Sequence, residues 1–301
     1  MAELGVHLWE KDPQALGVKA AEAEAMGFAS VSIGDHVSPG LLSPFAAAAV
    51  IASATSKVRF GPLVLNNDLR HPVLVAQEAA ALSRWSHGRF ELGLGSGYNR
   101  REYAWLGIPF VPRDARAARL GEAAAIIRQL LAGETVSVEG DHYIVGDATL
   151  GEPPPHVPIL IGGNSPAVHR VAAEHDVATL PGYSPGSGTN DYSESAVERQ
   201  VEFLRQSQAD GAPVDVHVLV QHHEITGDRD AGISRAAVEL ETTEEVAADS
   251  PYVLVGTPEQ IAEQMRGQQE RLAISRWTVF GDRPGADPAA AFAPLLRLLS
   301  E

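Results

Sequence analysis

The chain has no cysteine among its 301 residues. Disulfides, thiolate metal sites and cysteine nucleophiles are excluded together. Positive charge is scarce as well: 23 Lys and Arg stand against 39 Asp and Glu, a formal net charge of -16. That balance argues against a nucleic-acid partner, because binding a phosphodiester backbone needs a basic face. A few local donors can still hold an anionic cofactor against that global field. Long apolar runs are missing too. The alanine-rich stretch Phe45–Ala54 is about half of what a bilayer span requires. No basic segment followed by an apolar one opens the chain, which leaves the cytoplasm as the expected location. A P-loop, an HExxH motif and solenoid repeats are all absent from the sequence.

What is present is hydrophobic residue, 45% of the chain, distributed in a regular alternation. Short β-branched or apolar runs at Leu4–Trp9, Ala29–Ile33, Lys57–Leu65, Arg89–Leu94, Val157–Ile161, Val177–Leu180, Val214–Val220 and Arg276–Phe280 read as strands. Between them Pro13–Met26, Pro44–Ala54, Pro72–Trp85, Arg113–Leu131, Ala167–Glu174, Glu194–Gln208, Pro258–Leu272 and Pro288–Leu299 carry apolar residues at three- and four-residue spacing. Gly27 follows the first of these helices, where a helix end favours glycine. Alternation of this kind predicts a parallel sheet covered by helices. Eight repeats in about 300 residues favour a closed (β/α)8 TIM barrel over an open doubly wound sheet. No composition shift marks a boundary, so residues 1–301 are expected to form a single domain. Two long irregular stretches are candidate functional insertions. Gly133–Val157 lies between the fourth helix and the fifth strand and holds a hairpin-like Thr135–Ile144; Pro181–Asp191 is rich in Gly, Ser and Pro.

In such a barrel the chemistry sits on the loops after the strands. The chain places His7 and Trp9, Asp35 and His36, Asn66 and Asn67, Gly95 to Tyr98, Gly162 to Ser165, Pro181 to Tyr183 and His222 with His223 there. In the run Gly162-Gly163-Asn164-Ser165-Pro166 a strand ends in two glycines, a capping residue follows, and proline takes the first helical position. The exposed N–H groups of such a turn suit a phosphate, with Arg170 one helical turn on as charge support. The same pattern also serves as a plain strand-to-helix connection. Gly93-Leu94-Gly95-Ser96-Gly97-Tyr98 is similar to a dinucleotide fingerprint but has Tyr98 at the third glycine position. The polar Asn99–Glu102 then follows in place of a packed helix. Adjacent strand residues point to opposite faces, so His222-His223-Glu224 is not expected to hold a metal. Asp35 beside His36 is a carboxylate able to fix an imidazole tautomer, and His36 becomes the candidate proton-handling group.

Several longer runs carry a resemblance. Arg70-His71-Pro72-Val73-Leu74-Val75-Ala76-Gln77-Glu78 continues to His87-Gly88-Arg89-Phe90-Glu91-Leu92-Gly93-Leu94-Gly95-Ser96-Gly97-Tyr98. Val157-Pro158-Ile159-Leu160-Ile161-Gly162-Gly163 and Val255-Gly256-Thr257-Pro258-Glu259-Gln260-Ile261 follow in order. Together they resemble the luciferase-like monooxygenase superfamily. Leu65–Pro72 and Gly97-Tyr98-Asn99 look most like its branch of F420-dependent oxidoreductases.

The resemblance implies a non-proline cis peptide at Leu63–Val64, backing the ring of F420 or, in the alternative, FMN. It implies a cofactor pocket that includes His36, Asn66 and Ser96, and a phosphate turn at Gly162, Gly163, Asn164 and Ser165. It implies His36 near the reacting face. Two departures from the related sugar-phosphate dehydrogenases stand out: their tryptophan after that histidine is missing near Gly40, and Tyr98 replaces a glutamate. Tyr98 therefore joins His36 as a candidate catalytic residue, with the substrate a small molecule of unassigned identity. An FMN-dependent monooxygenase and a flavin-binding barrel without turnover are the alternatives. A homodimer, through the Phe45–Ala54 helix, is the implied assembly.

Overall fold

The computed structural model describes residues 2–182, 190–208, 214–281 and 289–300. Its strands and helices appear in the order β1 (Glu3–Leu8), α1 (Pro13–Met26), β2 (Ser30–Ile33), α2 (Pro44–Ala54), β3 (Arg59–Pro62), β4 (Leu65–Asn66), α3 (Pro72–Ser86), β5 (Leu92–Gly95), α4 (Arg100–Leu106) and α5 (Arg113–Leu131). The chain continues with β6 (Val136–Glu139), β7 (Ile144–Ala148), β8 (Ile159–Gly162), α6 (Pro166–Ala172), β9 (Val177–Leu180), α7 (Glu194–Ser207), β10 (Asp215–Leu219) and β11 (His222–Ile225). It closes with α8 (Arg229–Glu239), α9 (Glu244–Asp249), β12 (Val253–Gly256), α10 (Pro258–Leu272), β13 (Ile274–Phe280) and α11 (Ala293–Ser300).

Strand order in the main sheet is β3-β2-β1-β13-β10-β9-β8-β5-β4. Its two ends, β3 and β4, are halves of one interrupted strand, and Phe60 of β3 also bridges Phe90 in parallel, so the sheet closes on itself. The structure is thus the expected barrel, and the eight runs read as strands supply its wall. The interruption at Leu63-Val64 is a cis peptide between two non-proline residues, where the resemblance places it. Local sequence explains the helices. Asp12, Ser165, Ser193 and Thr257 each accept a hydrogen bond from the first turn of the helix they precede, and at Thr257 a return bond from Gln260 completes a capping box.

Two regions depart from expectation. The polar stretch after Gly97 is the short helix α4, capped by the Asn99 side chain. Residues 222–256 fold into a small unit in which β11 pairs with β12 in parallel while α8 and α9 cover it, with Ile233, Ala236, Ala247 and Val255 in its core. Its strands are short and join across a wide sequence separation, so no local period announces them. The hairpin β6–β7 extends past the expected Ile144 to Ala148. It packs against α5, outside the barrel, and none of it lines the cavity described below. Residues 183–189 of the Pro181–Asp191 stretch lie outside the described residues, as does Pro288 at the start of the closing helix.

The barrel interior is not wholly apolar. His217 sits between two threonines, Nδ1 3.1 Å from Thr179 Oγ1 and Nε2 2.9 Å from Thr278 Oγ1. His7 Nδ1 lies 3.0 Å from Ser32 Oγ. Burial, foremost, holds both imidazoles at about 3 instead of 6.5, with Arg276 and Arg59 adding to the effect at His217 and His36 at His7. Both are neutral in the folded chain at neutral pH, whereas the unfolded chain protonates them below about 6.5. Stability is therefore fully present above 6.5 and is lost as pH falls from 6.5 toward 3, by about 1.4 kcal/mol per histidine per pH unit. Thermal melts of wild type and His217→Gln between pH 7 and 5 should diverge, with the variant the less pH-sensitive. Parallel curves would remove His217 from the account.

Candidate active site

All eight positions of the barrel wall contribute to one cavity of about 910 Å³ at the carboxyl ends of the strands. That volume suits a flat cofactor together with a small substrate. The space exists because of glycine. A Cβ on Gly93 would lie 3.0 Å from Val64 Cγ1 and 2.1 Å from the Pro62 carbonyl oxygen; on Gly95 it would lie 2.6 Å from Val64 Cγ2, and on Gly162 3.1 Å from Val64 Cγ1. Gly93 and Gly95 of the fingerprint-like run are therefore room for the Val64 side chain, together with Gly162 on the next strand. Gly97, at φ 70°, has no room for a side chain either, because Tyr103 Oη and Asn66 Oδ1 would stand 2.3 and 2.4 Å from its Cβ.

At one side of the cavity stands His36. Its Nδ1 is 2.6 Å from Glu102 Oε1, and Glu102 is only 3% exposed. Asn99 Nδ2 donates to the same carboxylate oxygen at 2.9 Å. A carboxylate at that distance keeps the proton on Nδ1, so Nε2 accepts from the Tyr98 hydroxyl, 3.3 Å away. Trp9 stacks on the imidazole with centroids 5.4 Å apart and planes at 19°. An aromatic thus does lie on His36, but it comes from the end of β1 and not from the segment near Gly40.

Asp35 does not orient His36 as the sequence suggested. Its carboxylate is turned the other way and engages Arg70 in two hydrogen bonds, at 2.6 and 2.8 Å, while also accepting from the Asn66 backbone N–H at 2.9 Å. A bidentate cation competes successfully with a neutral imidazole for that carboxylate. Glu102, the group that does face His36, lies on the short polar helix α4, which no hydrophobic period marks. An Asn-x-x-Glu pattern after Gly97 was the available signal, since Asn99 caps the helix and Glu102 lies on its first turn.

The remaining expected residues meet in the same cavity. Leu63, Val64, Asn66, Ser96, Gly162, Gly163, Asn164 and Ser165 all line it, with His36 and Tyr98. Asn66 Oδ1 accepts from the Asp68 backbone N–H, which fixes the amide orientation and leaves Nδ2 buried without an acceptor among the described residues. A buried donor of this kind, beside the Leu63–Val64 bulge, fits the polar edge of a flavin or deazaflavin ring. Ser165 caps α6, accepting from Val168 N–H at 3.3 Å. Arg170 gives no charge support to that turn. It is exposed on the far side of α6, its guanidinium 5.7 Å from the Phe203 ring centre. His222 and His223 diverge as expected: the first meets Glu239 at 2.7 Å, the second the Phe280 carbonyl at 2.8 Å. No group of three or more metal-ligating side chains occurs among the described residues.

The profile of the luciferase-like monooxygenase family matches residues 9–241. The chain belongs to that family. It is 32% identical over 274 residues to an F420-dependent glucose-6-phosphate dehydrogenase of Beutenbergia cavernae, covering 86% of this chain and 78% of the relative. The barrel is similar to that of the coenzyme F420-dependent tetrahydromethanopterin reductase of Methanopyrus kandleri, with a TM-score of 0.79 at 18% identity over 99% of this chain and 98% of the other. It is also similar to that of an F420-dependent secondary alcohol dehydrogenase in complex with an F420-acetone adduct, with a TM-score of 0.75 at 18% identity over 100% and 99% of the two chains. At such identity the likeness concerns the fold. Among the described residues of this luciferase-like barrel no helix is long and apolar enough to cross a membrane.

The Asp35–Arg70 pair ties the loop after β2 to the segment that follows β4, on either side of the bulge. Asp35 is 6% exposed, so Asp35→Ala leaves a partly buried arginine and the Asn66 N–H without their acceptor. The expected cost is about 3 kcal/mol, read by calorimetry as a Tm lower by several degrees, whereas Asp35→Asn should lose less. An unchanged Tm in Asp35→Ala would show that the pair contributes nothing.

Proposed function

We propose that the protein is an F420-dependent oxidoreductase acting on a small organic substrate, with residues 1–301 working as one barrel domain. The observation that carries this reading is the cavity wall itself: Val64 seated against three glycines, with the unpaired Asn66 Nδ2 beside it, facing the His36–Glu102–Tyr98 chain. The identity to curated F420-dependent dehydrogenases over most of the chain supports the choice of cofactor. Leu63, Val64, Asn66 and Ser96 would hold the ring, and the turn Gly162–Ser165 the phosphate. When bound, F420 supplies hydride exchange with the substrate.

What the chain supplies is orientation and proton handling. Glu102 keeps His36 in the Nδ1–H form and stabilises the imidazolium that results when Nε2 takes up a proton. The Tyr98 hydroxyl, which donates to Nε2, accepts from a substrate hydroxyl on its cavity side and passes its own proton to His36 as the substrate's proton arrives. Tyr98 stands where the resemblance to sugar-phosphate dehydrogenases implies a glutamate, which argues against a sugar phosphate as the substrate. The FMN-dependent monooxygenase is the second reading, since the same wall backs either ring.

Assembly and location complete the proposal: a cytoplasmic homodimer. The alanine face of α2 is already spent within the chain, with Ala47, Ala48, Ile51 and Ala52 buried and α1 and α3 packed against it. The exposed Leu74 and Trp85 on α3 are the apolar side chains left nearby to face a second copy. Light scattering at micromolar concentration reads this directly.

Fluorescence titration with oxidised F420 and with FMN tests the cofactor; tighter binding of FMN would favour the monooxygenase. His36→Ala is expected to lower kcat at least tenfold with F420 affinity nearly unchanged, since general acid–base assistance contributes on the order of 10²–10⁴. Glu102→Gln should lower kcat and shift its pH profile, because the imidazolium loses its counter-charge. An effect on KM alone in both variants would reduce the pair to a pocket wall.

A further inference from the structure

Ionisable groups on the cavity wall do not balance. Its carboxylates are matched, Asp35 by Arg70 and Glu102 by His36. Arg100, Arg113 and Arg116 line the same cavity, and none of them makes an ion pair with a carboxylate among the described residues. Arg116 is 6% exposed, its Nε donating to the Ser96 carbonyl at 3.1 Å and a second nitrogen to that of Val111. The Phe110 ring holds two guanidinium groups at once, with Arg116 4.0 Å and Arg100 4.5 Å from its centre. Burial pulls the Arg116 pKa down, Tyr103 and Asp68 act upward, and Arg113 and Arg100 push it down again. Three like charges therefore feel one another.

The start of α5 adds to the same field. Its N-cap is Pro112, no side chain caps it, and Pro112 and Arg113 line the cavity. Unsatisfied N–H groups and the positive end of a 19-residue helix favour an anion. A structural role, tying Ser96 to Val111, accounts for Arg116. It does not account for Arg113, which makes no hydrogen bond or ion pair among the described residues. In a chain of net charge -16, uncompensated cations gathered on one cavity wall call for a negative ligand.

We propose that Arg100, Arg113 and Arg116, together with the start of α5, form an anion subsite that takes a phosphate or carboxylate group of a ligand bound in the cavity. It is a second anion position, additional to the Gly162–Ser165 turn. The ligand's identity rests on the deazaflavin reading; the anion chemistry of the subsite does not. Two sources share that chemistry, the tail of the cofactor and a negatively charged substrate.

The test uses Arg100→Ala/Arg113→Ala, both exposed positions, with an unchanged Tm confirming the fold. Inorganic phosphate should raise the Tm of the unliganded wild type and leave that of the variant unmoved. Binding is then titrated with F420 and with its chromophore lacking the phosphate-bearing tail. A loss of about tenfold or more for F420 and little for the bare chromophore assigns the subsite to the cofactor tail, on the scale of one charge-assisted hydrogen bond. Equal affinities of wild type and variant for both, with the phosphate effect still lost, assign it to the substrate. A phosphate response retained by the variant overturns the proposal, as does an equal loss for both chromophores. If neither chromophore binds the wild type, the deazaflavin reading fails while the phosphate arm still judges the subsite.

Discussion

The side chain of Val64 sets the shape of this molecule's working end. It projects from a break in the barrel wall toward two neighbouring strands, and the positions it meets there are Gly93, Gly95 and Gly162. A Cβ on Gly93 or Gly95 would collide with it or with the Pro62 carbonyl, and one on Gly162 would crowd it. Seating Val64 among glycines lets β3 end at Pro62, restart at Leu65, and present an apolar surface to the cavity without opening the sheet. The placement of Asn66 follows from the same break: its amide, just past the bulge, is oriented by Asp68 and its backbone by Asp35.

Around that surface the site separates charge by partner. Asp35 is neutralised by Arg70 and serves structure; Glu102 is withheld from any arginine and faces an imidazole. Two histidines on the barrel strands, His7 and His217, are held neutral by burial, while His36 has a carboxylate on one nitrogen and a phenol on the other. The hydrogen-bond partners differ as well: hydroxyls for the first two and a buried carboxylate for the third. Arginines without carboxylates collect at another part of the wall, next to Phe110. One cavity thus offers an apolar wall, a proton-handling group and a cationic region in separate places.

Much of this was legible. Strand runs and helix caps read from local pattern fall on the observed elements from Glu3 to Phe280, because apolar periodicity and capping residues act over a few positions. His36, Tyr98 and the Gly162–Ser165 turn were nameable as strand-end residues, and they do share the cavity. The unit from β11 to β12 was not legible: its strands span four residues each and pair across nearly thirty others.

The sequence by itself determined the barrel, its family resemblance and the set of polar residues at the strand ends, since each is encoded in local spacing or contiguous motifs. Which carboxylate meets which base was decided only by the tertiary structure. Asp35 is next to His36 in the chain yet bonds Arg70, while Glu102, sixty-six residues away from His36, reaches the imidazole through a helix that no hydrophobic period reveals. Partner choice of this kind depends on distance and competition in three dimensions: a guanidinium offering two parallel hydrogen bonds outbids an imidazole for the nearer carboxylate, and burial then makes the farther one the counter-charge.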